Sequence, residues 1–445
     1  MRTPTFHDLT ESNELPAKLF KRTEADLSFF VERVKPIIEA VRVEGDAALE
    51  RFAKQFDKVT AEKMSIRAEE SEFEGALQRL DPKVVDAIRY AAENIRAFHE
   101  AQKPEEMWLK EVRPGAFVGD RNVPLDSVAC YVPRGKGSFP SVLLMTAIPA
   151  IVAGVLRTVV VTPPGPDGKV DDATLVAARL IGITEIYKCG GAQGVAAVAY
   201  GTESVPKCLK IVGPGSPWVV AAKRQLSGII DPGVPAGPSE SIVLADDSTD
   251  GELAALDLII ESEHGPDSSV YLVTDSRRVA EEAKAGLVKH WAGLDAQRAE
   301  FSQTVLCGEH GGIVLTKDFE TAIEFVNEYA PEHLGILTAE PFEVMGKIRN
   351  AGELLLGKYT PMSLGNFVLG PNAVLPTGGA AKVAGALSVF DFMKRASVGY
   401  VTRDGYPALA EKAHTLALYE GFTGHAQAIS QIRMDIIDKP KVKTE

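Results

Sequence analysis

Cysteine is scarce in this chain. There are four, Cys130, Cys189, Cys208 and Cys307, among 445 residues. None stands in a CxxC pair, so their spacing indicates neither a disulfide framework nor a thiolate zinc cluster, and reduced thiols fit better. Positive charge is also short: 48 Lys and Arg against 61 Asp and Glu leave a formal charge of −13. A dominant basic face is therefore not expected, and nucleic acid is a poor candidate partner. The opening MRTPTFHDLTESNELPAKLF lacks a basic stretch followed by an apolar run, so no signal peptide is expected. The longest apolar stretch, around 142–160, contains Pro149, Gly154 and Arg157. It reads as a buried core element and not as a membrane span. The expectation is a cytoplasmic protein with no membrane partner. No fixed-period repeat is visible, and no GxGxxG follows the first strand signal, so a nucleotide site here would be a variant one.

The composition that is present, 45% hydrophobic and 24% charged, is that of a globular protein and excludes a disordered chain. At about 150 residues per domain the length suggests roughly three units. Residues 25–105 show apolar positions at i, i+3 and i+4, the helical period, with Asp81–Pro82 as a cap and first helical residue. The period then changes. Strand-like runs occur at 127–132, 158–164, 185–191 and 209–215, with helical segments between them. A second series follows at 240–246, 269–274, 311–316, 334–338 and 353–357. Strands alternating with helices imply an α/β fold with parallel sheets, in two successive units. From about 376 the pattern reads as helical again, VFDFMKR included.

Several segments carry chemistry-bearing residues. Gly-rich turns YVPRGKG (131–137), CGGAQG (189–194) and VGPGS (212–216) each follow a strand signal. They are either phosphate-approaching loops or plain tight turns. Glu261 and His264 lie three apart at the end of an apolar helix, on one face, before Gly265–Pro266. That is either half of a zinc-type site or an exposed capping pair. Glu332–His333, after Pro331 and just before a strand, suits proton transfer or is a solvated pair. The irregular segment 360–379 is long enough to be functional, and Glu420 and His425 flank a helix start. The other histidines, His7, His99, His290, His310 and His414, are expected to be solvated.

The ordered runs YVPRGK, PSVLLMTAIPAIVAGV, GGAQGVAAVAYGT, VGPG, PAGPSESIVLAD, ESEHGPDS, APEHL, GPNAVLPTGGAA and EGFTGHA resemble the histidinol dehydrogenase family across about 30–430. The resemblance implies two incomplete Rossmann-like domains with helical N- and C-terminal accessory regions. The boundaries expected are 1–110, 111–239 on the NAD side, 240–378 on the metal and substrate side, and 379–445. It also implies a homodimer with shared active sites, Zn2+ and NAD, and oxidation of an alcohol through an aldehyde to a carboxylate. L-histidinol is the first substrate expected. A paralogue acting on another small polar or anionic alcohol, such as sulfopropanediol, is the alternative, and a non-catalytic binding protein a third.

Carried over by position, Glu332 and His333 match the catalytic pair. Glu261, His264, Asn366 and His425 match the metal positions. Substrate contacts fall on Ser239, Glu261, His264, His333, Asn366, Glu420 and His425, with Glu420 and His425 supplied by the partner subunit. Tyr131, Gln193 and Ser216 match cofactor positions. The chain departs from the family pattern in ways that bear on the site. Glu261 stands where Gln is usual and Asn366 where Asp is usual, an exchange that preserves one carboxylate and one amide. Ala373 replaces an imidazole, Ser216 an amide, and Arg134 and Lys136 enter the first Gly-rich turn.

Overall fold

The computed structural model describes residues 2–12, 14–22, 27–135 and 137–439. Lys136 therefore lies outside the described residues. The chain begins with β1 (Phe6–Asp8), then four helices: α1 (Ser28–Glu44), α2 (Asp46–Phe56), α3 (Glu70–Arg79) and α4 (Pro82–Gln102). Strands β2 (Met107–Arg113) and β3 (Ala116–Pro124) follow. The first alternating series is β4 (Ser127–Tyr131), α5 (Pro140–Ala153), β5 (Arg157–Thr162), α6 (Asp172–Leu180), β6 (Ile186–Lys188), α7 (Gly191–Tyr200), β7 (Lys210–Val212) and α8 (Pro217–Gln225). The second opens with β8 (Glu240–Ala245), α9 (Gly251–Ser262), β9 (Ser269–Thr274), α10 (Arg277–His290) and α11 (Ala296–Leu306). It continues through β10 (Gly311–Leu315), α12 (Phe319–Tyr329), β11 (His333–Leu337), α13 (Pro341–Met345), β12 (Glu353–Leu356) and α14 (Met362–Phe367). Strand β13 (Met393–Val401) and helices α15 (Tyr406–Tyr419), α16 (Thr423–Ala428) and α17 (Gln431–Ile437) close the chain.

Two parallel sheets form, as alternating strands and helices require. One has the order β6-β5-β4-β7, the other β1-β10-β9-β8-β11-β12. Their strands are apolar runs because helices cover both faces; every residue of β8, β9, β10 and β11 is buried. The six-stranded sheet separates two cores. One is built with α9 and α10 around Leu258, Leu272 and Leu287, the other with α12 around Tyr271, Phe325 and Tyr329. The apolar stretch near 142–160 becomes α5, buried along nearly its whole length and closed by Gly154 at φ +89°. Among the described residues, no helix is long and apolar enough to cross a membrane.

The chain divides into two compact units. The first joins Met1–Lys103 to Pro124–Phe392, and the second joins Pro104–Val123 to Met393–Glu445. The second holds a three-stranded sheet, β13-β3-β2, with α15 to α17. Two features differ from expectation here. MKRASVGYV is strand β13, not helix, and β2 forms although all seven of its residues are exposed. Strand β2 owes its state to antiparallel pairing with β3, Trp108 opposite Asp120 and Leu109 opposite Gly119. Local pattern cannot show such a partner.

His99, expected in solvent, is fully buried. Asn372 Nδ2 donates to its Nε2 at 3.2 Å, so Nδ1 donates to Gln102 Oε1 at 2.8 Å. Asn372 also donates to the Met145 carbonyl and accepts from the Val374 amide. The pair thereby fastens the loop after α14 to α4 and α5. Burial lowers the His99 pKa, so the unfolded chain takes up the proton first. Stability should fall as pH drops below about 6.5, by up to about 1.4 kcal/mol per pH unit from this group. Denaturant unfolding of the parent and of His99→Gln across that range checks this: the parent should lose stability more steeply, and parallel curves would contradict it.

Candidate active site

In both parallel sheets the chemistry-bearing residues gather on one edge, but the edges are opposite. In the first sheet Tyr131, Gly190–Gln193 and Ser216 follow the carboxyl ends of β4, β6 and β7. The sheet steps from β4 outward to β5 and β6, then returns to place β7 on the other side of β4. A ligand crevice is expected at such a switch. In the second sheet Ser239–Glu240, Glu332–His333 and Glu353 stand at the amino ends of β8, β11 and β12. Helix α9 runs back from β8 and delivers Glu261 and His264 to that same edge.

Asp250 caps α9, its carboxylate accepting the Glu252 and Leu253 amides. At the other end Glu261 is completely buried, which excludes an exposed capping pair. Asn366 Nδ2 donates to Glu261 Oε1 at 2.6 Å. Glu261 Oε2 lies 2.8 Å from His264 Nδ1 yet accepts no hydrogen bond. Ser239 Oγ is 2.9 Å from the same nitrogen. Burial opposes ionisation of Glu261, but His264, His333 and the Asn366 bond outweigh it and hold the carboxyl well below the usual range. Glu261 in turn raises the His264 pKa against burial. A buried anionic oxygen at the negative end of a helix, whose near neighbour is an imidazole nitrogen that can itself ligate, is a cation-seeking arrangement. Glu261, His264 and the amide oxygen of Asn366 supply carboxylate, imidazole and carbonyl donors, a set that fits a zinc-type ion. Among the described residues, no cluster of three or more His, Cys, Asp or Glu side chains is placed to hold a metal.

Between α12 and β11, Ala330 adopts the left-handed conformation, φ +54°, and is buried. This bend and Pro331 end the helix and aim Glu332 inward. Glu332 Oε2 accepts the Glu240 amide at 2.9 Å, and Oε1 lies 3.9 Å from His333 Nε2. On the far side of the ring, His333 Nδ1 is 2.9 Å from Glu353 Oε2. Burial, with Glu261 and Glu240 nearby, pushes the Glu332 carboxyl up to about 8, although His333 pulls it down. Burial works against charging His333, but the surrounding carboxylates, Glu261 first, raise it to about 10. Glu332, His333 and both of their orienting partners are thus dry and tightly coupled. Sequence reasoning missed Glu353, Glu240 and Arg22, which pairs with Glu240 Oε1 at 2.7 Å. The only available signal was an acidic residue opening each of two otherwise apolar strands.

The cofactor-side residues divide. Tyr131 and Gln193 are buried. The Tyr131 hydroxyl accepts the Gly191 amide at 3.0 Å and so supports the turn entering α7, in whose first turn Gln193 lies. A Cβ on Gly213 would lie 2.3 Å from the Tyr131 carbonyl, which fixes that crossing as glycine. Ser216 is exposed at the N-terminus of α8 and makes no side-chain cap. Two helix N-termini and glycine turns at a switch point fit a dinucleotide pyrophosphate. Arg134 binds the Lys169 carbonyl at 2.9 Å and so clamps a neighbouring loop. Glu420 and His425 lie in the second unit, both exposed, at the end of α15 and in α16.

The histidinol dehydrogenase family model matches residues 20–434. The chain belongs to the histidinol dehydrogenase family. It is 60% identical over 434 residues to a histidinol dehydrogenase homolog 2 of Mesorhizobium japonicum, covering 97% of this chain and 99% of that one. It is 49% identical over 414 residues to a histidinol dehydrogenase of Synechocystis, covering 93% and 95%. A crystal structure of histidinol dehydrogenase from Elizabethkingia anophelis superposes with a TM-score of 0.92 at 30% identity, covering 99% of this chain and all of that one. The mixed α/β architecture with parallel sheets is thus that of the family, and the protein is an oxidoreductase of histidinol dehydrogenase type.

The raised Glu332 carboxyl has a thermodynamic consequence. The folded state holds a proton that the unfolded chain releases above about 4.5, so its contribution declines as pH rises toward 8. Metal-free Glu332→Gln should therefore melt higher than the parent, and by a wider margin at pH 9 than at pH 5. Thermal melts at both values check this; an equal or lower melting temperature at pH 9 would contradict it.

Proposed function

We propose that this protein is a zinc- and NAD-dependent dehydrogenase that oxidises an alcohol through an aldehyde to a carboxylate, with L-histidinol as the first substrate to test. The observation that carries the reading is the buried edge where Glu261, His264 and Asn366 adjoin Glu332 and His333. In this reading both sheets are incomplete Rossmann-like domains, built from 111–239 and 240–378, with β1 of the N-terminal region added at the edge of the second beside β10; the rest of 1–110 and 379–445 is accessory. The strand orders support it, since each alternating series steps outward from its opening strand, β4 or β8, and then switches to the other side of it.

Glu261, His264 and Asn366 would hold zinc together with His425 of the partner subunit in a homodimer. Bound there, zinc would polarise and orient the substrate oxygen, and bound NAD+ would accept hydride. A cation against Glu261 would offset the charge that raises both Glu332 and His333 and leave them free to accept protons; His333 Nε2 then takes the hydroxyl proton in the first oxidation. Glu332 takes a proton from the water that adds to the aldehyde, and His333 serves again in the second oxidation. The Glu240 amide keeps Glu332 aimed, and burial keeps bulk water off the aldehyde. Ser239 and the partner subunit's Glu420 would contact substrate, and Tyr131, Gln193 and Ser216 would line the cofactor side. No structural feature assigns a cellular compartment; the cytoplasm remains the setting we propose.

Ala373 favours a second reading, a paralogue for another small alcohol, because a methyl stands where the family pattern has an imidazole. Arg134 adds little to an anionic substrate, since its guanidinium is engaged by the Lys169 carbonyl. A panel of alcohols assayed with NAD+, with and without Zn2+, separates these readings. Turnover of L-histidinol to two NADH per substrate supports the first, turnover of another alcohol alone supports the second, and no turnover of any alcohol overturns both. Glu332→Gln should spare the alcohol step relative to the aldehyde step; equal losses in both would contradict the assigned roles.

The contact between Glu261 and Asn366 allows a sharper test of the metal. Glu261→Gln should weaken zinc at least about 10-fold, and adding Asn366→Asp should restore most of it. Titration against a competing chelator measures both. A double variant no tighter than the single would contradict the exchange.

A further inference from the structure

We propose that Glu353 is a positioning residue for His333, fixing which ring nitrogen carries the proton. The inference rests on the reading of His333 as the base. Strands β11 and β12 are parallel neighbours with His333 and Glu353 in register, so the backbone itself sets the two side chains side by side. Both are buried, and Glu353 Oε2 is 2.9 Å from His333 Nδ1. An ionised carboxylate there only accepts, so Nδ1 must donate. The lone pair then stands on Nε2, the nitrogen that faces Glu332. When Nε2 takes a proton, the same carboxylate lies against the new imidazolium, so the contact strengthens as the reaction proceeds.

The other carboxylate oxygen is held differently. Glu353 Oε1 is buried without a hydrogen-bond partner, and a Cβ on Gly365 would lie 2.8 Å from it. Helix α14 thus approaches the carboxylate closely, and a side chain at 365 would push against that oxygen. The next residue on α14 is Asn366, the partner of Glu261. One short helix therefore seats both the orienting carboxylate of His333 and the amide of the candidate metal site.

Glu353→Gln retains the shape but lets an amide N–H face Nδ1, which favours the opposite tautomer. Turnover by this variant should fall about 100- to 10,000-fold with KM for alcohol and for NAD+ nearly unchanged. Zinc affinity and melting temperature should stay close to those of the parent. Glu353→Asp, which retains the charge, should recover part of the loss. Nitrogen-15 spectra of the full-length protein give a readout free of turnover: the parent His333 should be protonated on Nδ1, and Glu353→Gln should lose that state. Parent spectra showing a neutral His333 ring with its proton on Nε2 and none on Nδ1, or Glu353→Gln turning over within about twofold of the parent, would overturn the inference. So would a loss of turnover accompanied by a raised KM and a lowered melting temperature. His333→Asn separates the two levels of the argument. If that variant retains full turnover, the base assignment falls and this inference with it. If it is inactive while Glu353→Gln is unaffected, the positioning role alone falls.

Discussion

A single buried carboxylate organises the edge of the second sheet. Glu261 is withdrawn from solvent at the C-terminal end of α9, where the helix dipole already disfavours a negative charge. Leaving it there ionised requires compensation, which its neighbours supply: the Asn366 amide on one oxygen, the His264 ring beside the other, and His333 beyond. Removing those partners would strand an uncompensated charge, a loss on the order of 3–5 kcal/mol. The same carboxylate helps push Glu332 toward neutrality and His333 toward charge. The proton inventory of the whole edge thus depends on what lies against Glu261.

The two sheets share a winding pattern but present opposite ends for use. The first follows the common rule, with glycine turns and helix N-termini at strand carboxyl ends, where partial positive charge suits an anionic cofactor. The second uses strand amino ends and a helix C-terminus, where partial negative charge suits a cation. One chain can therefore serve a phosphate-bearing and a metal-bearing component by displaying opposite poles of the same supersecondary unit. The strain at Ala330, a non-glycine residue at φ +54°, sits where the chain must turn sharply to bring Glu332 inward.

Much of this was legible beforehand. The nine strands of the two alternating series emerge where apolar β-rich runs met glycine or proline, because fully covered parallel strands leave an unbroken apolar signature. Strands β2 and β13 left none: their residues are mostly exposed, and each is a strand only because β3 lies beside it. Glu261 and His264 were legible as a helical i, i+3 pair, but the burial of Glu261 was not, since it comes from packing against elements a hundred residues away. Glu353 was illegible for the same reason; a Glu opening ELLLG means nothing until the β11–β12 register puts it against His333. His99 was misjudged because α4 looks amphipathic around it, whereas Asn372, far along the chain, draws it into the core. Family resemblance contributed what periodicity could not, including the reading of Glu261 and Asn366 as exchanged partners, and those two side chains do touch.

The central claim is that the Glu261 oxygen beside His264 and the His264 ring itself grip a divalent cation. Anomalous diffraction at the zinc absorption edge, from crystals of the full-length protein grown with zinc and no chelator, tests it most directly. The account predicts a strong peak within coordinating distance of Glu261 Oε2 and the His264 imidazole. Zinc peaks only at surface sites, with Glu261 still lacking a ligand, would contradict it.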